Sequence, residues 1–552
     1  MKRKYDYIKN PIFQVCLVLL ITSCGSGGGG SNAPRSITPT KIISKNPEIY
    51  TPAIENPKID EIEKPKLTNN YQQIITGVLP NLLVFSKPTI PQVDTKGENL
   101  IVGILDSNFL THRNELEKKY GDKITILEKN ENNYTDHGEL VLDTLLNGIS
   151  PKIVAASLSS KYGNQDIIKF SLDDYKKILT EMKKGDSENN KKVKIFNQSW
   201  GSTLTAKDER EIYADKKRFR EELLKAISLK TTGNIEDIYN SGKESLTFYE
   251  EAINTDNALF IWSNGNLDLR NQTLSNAGLQ AAAPMIKSNI EKGWISVVGV
   301  DGNNNNSNYY LQHLAYAGVA KNWSISADGN VGSKYGSSFA APRVSNAAIQ
   351  VATKFPWMTN NDVRMTLFTT TNKVGVGNGI EENKRFEETQ ADYKNGWGVL
   401  NTERALKGPG AFLEILLRAS PKNLDTNDWN YYFNANIPKN TISYFENNIH
   451  GDSGVKKKGE GTLVLTGDNN FWKKSKIEEG TLEIYKKHIS GIDIKDKGTL
   501  VLHNDSVVGY IKYDDGEEKF SSVTNEGNLK LTGTRAFLGE YNNNGGTLTI
   551  PQ

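Results

Sequence analysis

Four residues of this 552-residue chain carry groups that together could attack a carbonyl: Asp106, His137, Asn266 and Ser338, in that order. Ser338 lies in Gly336-Ser337-Ser338-Phe339-Ala340-Ala341-Pro342, which opens a helical pattern running on through Ala347, Ala348, Val351 and Ala352. The pattern puts Ser338 in a first helical turn, facing the positive end of the helix dipole, with small neighbours that leave room for a substrate carbonyl. Pro342 is expected to be tolerated there, because the first four N–H groups of a helix have no intrahelical partner. Asn266 follows an apolar run and could aim its amide at a developing oxyanion. Singly, each feature has an ordinary explanation: an acid closing a strand is usually a cap or turn residue, and an amide after a strand is usually a turn former. The ordered set is what makes a candidate site.

The elements around these residues fit that purpose. Glu98 to Asp106 is an apolar run of strand length ending in the carboxylate, and in a parallel α/β sheet the carboxyl edge is where catalytic groups collect. Apolar spacing changes to a helical pattern just after His137-Gly138, so His137 is expected at a helix start. Ala258 to Trp262 reads as a second strand, ending in Ser263-Asn264-Gly265-Asn266. The other histidines, His112, His313, His450, His488 and His503, lack such a context and are expected on the surface or in loops.

These residues resemble the subtilisin-like serine proteases, or subtilases. The order Asp, His, Ser is the order that family uses. Gly336 to Pro342 is similar to its Gly-Thr-Ser-Met-Ala-x-Pro signature, with Ser337 for Thr and Phe339 for Met, and His137-Gly138 followed by Val141 is similar to its His-Gly-Thr-x-Val pattern. Trp294 to Asp301 and Asn395 to Asn401 resemble its core strand and its closing segment, so the resemblance covers about 99 to 407. It implies an α/β domain with a mainly parallel sheet flanked by helices, acting as a serine endopeptidase. Ser338 would be the nucleophile, His137 the base, Asp106 the group that orients it, and Asn266 the oxyanion donor. Ser199, Trp200 and Gly201 would bind substrate backbone, with Trp200 either narrowing a subsite or packing into the core. Two departures stand out: Asn108 replaces a usual Gly, and the 201 positions from His137 to Ser338 exceed compact members, with the excess expected in the charged stretch Lys207 to Glu244. The family admits structural calcium, but no clustered Asp run specifies a metal site. A Gly-x-Ser-x-Gly esterase is excluded, because His137 precedes Ser338.

The N-terminus reads as an address. Basic residues from Lys2 to Lys9 precede a mostly apolar stretch, Ile12 to Ile21, too short to span a bilayer. Leu20-Ile21-Thr22-Ser23-Cys24 resembles the lipobox of bacterial lipoproteins, which implies acylation of Cys24. Residues 1–23 are thus expected as a lipoprotein signal peptide and 24–66 as the lipidated cysteine and a flexible tether, rich in Gly and Ser and then Pro and Thr. Cys16 leaves with the signal, so the mature chain keeps Cys24 alone and no internal disulfide. Removing residues 1–23 takes away Lys2, Arg3, Lys4 and Lys9 against Asp6 and moves the formal charge from +2 to −1, a balance that points away from nucleic acid.

After a catalytic unit expected at 67–408 and a linker at 409–440, the composition turns to Gly-Thr-Leu units. They begin at Gly461, Gly480, Gly498, Gly527 and Gly546, at spacings of 19, 18, 29 and 19. A near-constant period with one alternating strand per unit implies a β-solenoid over 441–552, with the long spacing marking an insertion. Gly459 to Asn469 resembles the passenger-associated repeat of bacterial autotransporters. That implies an enzyme at the outer membrane or cell surface, lipid-anchored or released after processing, acting on protein or peptide substrates. The sequence holds no run of membrane strands for a translocator barrel. The expectation is therefore that either the sequence is truncated, with an incomplete set of repeats, or the passenger leaves by another route. A catalytically inactive adhesin or scaffold on the same fold is the rival reading.

Overall fold

The computed structural model describes residues 83–550 and the backbone of Ile74–Ile75, apart from 108, 110–112, 128–135, 159–171, 186–191, 203, 229–232, 269–271, 302–312, 373–389, 419–430 and 514–515. The signal, Cys24 and tether readings, and the Asn108 and His112 positions, lie outside the described residues.

Seven parallel strands form one sheet: β1 (Ile101–Ser107), β2 (Ile124–Ile126), β3 (Lys152–Leu158), β4 (Lys194–Gln198), β5 (Ala258–Ser263), β6 (Trp294–Val300) and β7 (Ser324–Asp328). Their order is β2-β3-β1-β4-β5-β6-β7. The chain thus builds to one side of β1, returns, and builds to the other. The carboxyl end of β1 is therefore a topological switch point, where a crevice opens between diverging connections. Asp106 sits at that end.

Alternation along the strands explains the two layers. On β5, Leu259 and Ile261 join one core, while Phe260 and Trp262 join the other. The first core is covered by α1 (His137–Leu145) and α6 (Ser337–Lys354), the second by α2 (Leu172–Lys184), α4 (Lys216–Ser228) and α5 (Ile235–Asn254). Together with α3 (Ala206–Ala214), α4 and α5 are the expected insertion between β4 and β5. Each fully buried aliphatic or aromatic side chain in these layers contributes about 1.5–3 kcal/mol relative to exposure. The alanines of α6 let it lie close to the sheet. A Cβ at Gly299 of β6 would come within 2.9 Å of Ser337 Cα.

The C-terminal region is a parallel β-solenoid. Thr462, Thr481, Thr499, Asn528 and Thr547 stack in register, and the leucines that follow them stack inside. The glycines before them are needed where each corner passes the previous coil: a Cβ at Gly527 would lie 2.2 Å from Lys495 O. The long spacing is an antiparallel hairpin of Tyr510–Lys512 with Glu518–Phe520. Stacking begins earlier than expected, with Tyr432–Asn436 paired to Gly454–Lys458. The expected linker also differs from what is found. Ala411, Phe412, Leu413, Leu416 and Leu417 are buried, and the first core runs unbroken from the sheet into the solenoid. Trp357 Nε1 donates to Ser443 Oγ at 2.6 Å, and Phe355 packs edge-on to Phe445. Apolar residues in a stretch read as a connector are here the mortar between two units.

Candidate active site

Asp106, His137 and Ser338 come from three elements and meet in one chain of hydrogen bonds. Asp106, 1% exposed, is the next-to-last residue of β1, and its Oδ1 lies 2.7 Å from His137 Nδ1. His137 opens α1, and its Nε2 lies 2.9 Å from Ser338 Oγ. A carboxylate can only accept, so Nδ1 carries the proton and Nε2 is left as the acceptor for the serine hydroxyl. Burial alone would lower the His137 pKa, but the charge and hydrogen bond of Asp106 outweigh it and leave the ring above its ordinary 6.5. The Phe339 ring, 5.4 Å from the imidazole, walls its other side.

Ser338 is the second residue of α6, whose N-cap is Gly336. Its backbone N–H is among those without an intrahelical acceptor. Pro342 corrects the sequence expectation: it lies in the second turn, past the helix start. It removes the N–H that would bond the Ser338 carbonyl, so the helix is loosened just after the serine. Gly336 is extended, and its need is space: a Cβ there would sit 3.1 Å from Ser338 Oγ.

Asn266 is brought to the same crevice and is held by a residue the sequence reading passed over. Ser337 N–H donates to Asn266 Oδ1 at 2.9 Å, and Ser337 Oγ–H donates to it at 3.1 Å. The backbone N–H can only donate, so it fixes which end of the amide is oxygen and turns Nδ2 outward as a donor. Gly265 N–H in turn donates to Ser337 Oγ at 3.2 Å. Another unforeseen element is Lys334, whose Nζ is 2.6 Å from Asp136 Oδ1, beside His137. Neither pairing has a spacing signal, since 198 residues separate Lys334 from Asp136.

Ser199, Trp200 and Gly201 leave the carboxyl end of β4, but two of their side chains turn away from the crevice. Ser199 Oγ accepts from Asn197 Nδ2. Trp200 Nε1 donates to Gln198 Oε1, and its ring packs edge-on to Trp262 at 5.0 Å in the second core. An aromatic subsite is therefore not what Trp200 provides; backbone is what this stretch can offer. His488, expected on the surface or in a loop, is instead buried in a solenoid strand, Lys487–His488, whereas His313 lies in a loop as expected but is buried. His313 Nε2 bonds Asn395 Oδ1 at 2.8 Å. Among the described residues no group of three or more His, Cys, Asp or Glu could hold a metal ion.

The chain thus carries a parallel α/β sheet between helical layers, with a hydrogen-bonded Asp-His-Ser set at the sheet's switch point. The chain belongs to the subtilase family, whose model, Peptidase S8, matches residues 97–398. It is 29% identical over 373 residues to the Neisserial autotransporter lipoprotein NalP of Neisseria meningitidis, covering 62% of this chain and 31% of that one. It is 25% identical over 248 residues to the serotype-specific antigen 1 of Mannheimia haemolytica, covering 42% and 22%. It is 27% identical over 195 residues to an extracellular serine protease of Serratia marcescens, covering 32% and 18%. The chain thus spans less than a third of the length of these relatives.

Proposed function

We propose that this chain is a serine endopeptidase that cleaves peptide bonds through an acyl-enzyme on Ser338, displayed at an outer-membrane or cell surface by a lipid on Cys24. The observation that carries the reading is the continuous bonding from Asp106 through His137 to Ser338 Oγ. In this mechanism His137 Nε2 takes the hydroxyl proton as Ser338 Oγ bonds the substrate carbonyl carbon, and Asp106 stabilises the imidazolium. The oxyanion faces Asn266 Nδ2 and the Ser338 N–H. The C–N bond then breaks as Nε2–H gives its proton to the leaving amine. Water, deprotonated by the same nitrogen, releases the acid. Substrate backbone would lie along 199–201, with protein or peptide as the substrate class.

The surface reading is supported by the lipobox-like sequence at Cys24 and by the similarity to an autotransporter lipoprotein. No helix among the described residues is long and apolar enough to cross a membrane. Peptide hydrolysis by the intact chain, by Ser338→Ala and by Asn266→Ala tests the enzyme reading. Ser338→Ala should lose turnover by on the order of 10⁶. Asn266→Ala, which keeps nucleophile and base, should lose about 10²–10³ with little change in KM. If the folded chain cleaves no casein, even after trimming of its N-terminal segment, the adhesin or scaffold reading replaces this one.

A further inference from the structure

One face of the solenoid is a ladder of short parallel strands: Ile449–Gly451, Asn469–Phe471, Lys487–His488, Val507–Val508 and Ala536–Leu538. The next rung is supplied from the other end of the chain. Ile74 and Ile75 pair in parallel with Ala536 and Phe537, in the place where a further coil would stack. Phe537 and Gly539 donate to Ser506 and Val508 on the preceding rung. Alternate peptide groups of a strand face opposite sides, so those of Ala536 and Leu538 turn toward the 74–75 segment.

A second grip lies nine residues further along that segment, on the corner before the Val507–Val508 rung. Val84 N–H donates to Asp505 Oδ2 at 2.6 Å, and Asn504 Nδ2 donates to Val84 O at 3.2 Å. Both solenoid side chains are set by the following coil. Arg535 bonds the Asp505 carboxylate through both of its oxygens, and Thr534 Oγ1 donates to Asn504 Oδ1 at 3.1 Å, which leaves the amide nitrogen to face Val84. Asp505 itself holds a left-handed backbone, φ 60°, uncommon for a non-glycine residue. The corner is thus built to take one amide and one carbonyl of an extended chain.

We propose that the Ala536–Leu538 edge and the Asn504–Asp505 corner form a strand-acceptor site whose occupants are this chain's own residues 74–75, on the edge, and 84, at the corner. The segment covers a sheet edge that would otherwise be open to pairing with another strand. The pairing also fastens residues 74–75 to the fifth coil before residues 85–97 run to the catalytic domain, where Ser150 N–H donates to Lys96 O at 2.7 Å. Only one consequence rests on the lipid-anchor reading: the tether then leaves from the solenoid, and pull on it is borne there instead of by the catalytic sheet.

Amide hydrogen exchange on the full chain tests this without reference to activity or lipid. Two variants are compared with the parent. Ile75→Pro removes an N–H from the added rung, and Val84→Pro, at an exposed residue, removes the donor to Asp505. Ile75→Pro should speed exchange at Leu538 by about tenfold or more, and Val84→Pro should loosen both grips. Helix α6 should keep its protection in both, as the control for folding. Leu538 exchanging freely in the parent, or staying fully protected in both variants because another strand holds the edge, overturns the proposal.

Discussion

His488 should make the solenoid acid-sensitive, by an amount that can be worked out. It is fully buried, with Phe471 edge-on at 4.9 Å, and its Nε2 lies 3.2 Å from the hydroxyls of Ser475 and Ser490. No carboxylate faces it in these contacts. Burial without a counter-charge pushes its pKa down from 6.5 to about 3. The native ring therefore stays neutral while the unfolded chain binds a proton, so its contribution is fully present above 6.5 and is lost progressively as pH falls toward 3. One pKa unit is worth about 1.36 kcal/mol, so at pH 4 the loss is about 3 kcal/mol. Urea unfolding of the intact chain and of His488→Leu, followed by a probe in the solenoid at pH 7 and pH 4, isolates this group, because the other titrations cancel in the difference. The variant costs something at pH 7, where two hydroxyls lose their partner, but its deficit should shrink or reverse by about 3 kcal/mol at pH 4. Parallel pH dependence in the two proteins would refute the reasoning.

Further outcomes follow from the site and from the N-terminal sequence. Because the His137 pKa lies above 6.5, kcat/KM should rise with pH through a limb above that value. Lys334 holds the ring's pKa down and Asp136 holds it up, so Lys334→Met should move the limb to higher pH; an unmoved limb counts against the pairing. Gly336→Ala should push Ser338 Oγ by a few tenths of an ångström out of line with His137 and cost about tenfold in kcat, with thermal stability nearly unchanged. Cys24→Ser should abolish incorporation of a fatty-acid analogue and shift the protein from membranes to the soluble fraction, and undiminished labelling would remove the anchor.

The parts of the site legible in the sequence were those written locally. A strand ending in Asp106, a helix opening at His137 and a small-residue turn before Ser338 each announce themselves within ten residues, and the solenoid announces itself by its period. Contacts between distant segments carry no such signal. The Ser337 clamp on Asn266 spans 71 residues, and the Lys334–Asp136 pair is set by where the antiparallel hairpin of Asn330–Val331 with Lys334–Tyr335 lands beside α1. Trp200 faces inward because Trp262 of the neighbouring strand and Gln198 offer it an apolar wall and an acceptor, which its own neighbours in sequence do not reveal. Residues 409–418 look like a connector because they are short of periodic pattern. They pack because two apolar surfaces meet over them.

The central claim is that Asp106, His137 and Ser338 work as one unit, and covalent labelling tests it most directly. A fluorophosphonate probe reacts preferentially with a serine whose proton is being taken, so the folded chain should carry the adduct on the peptide containing Ser338, mapped by mass spectrometry. His137→Ala should abolish the adduct while Ser338 is still present, and Asp106→Asn should slow its formation severely by favouring the wrong tautomer. An adduct on another residue, no adduct on the folded chain, or undiminished labelling in His137→Ala would contradict the account.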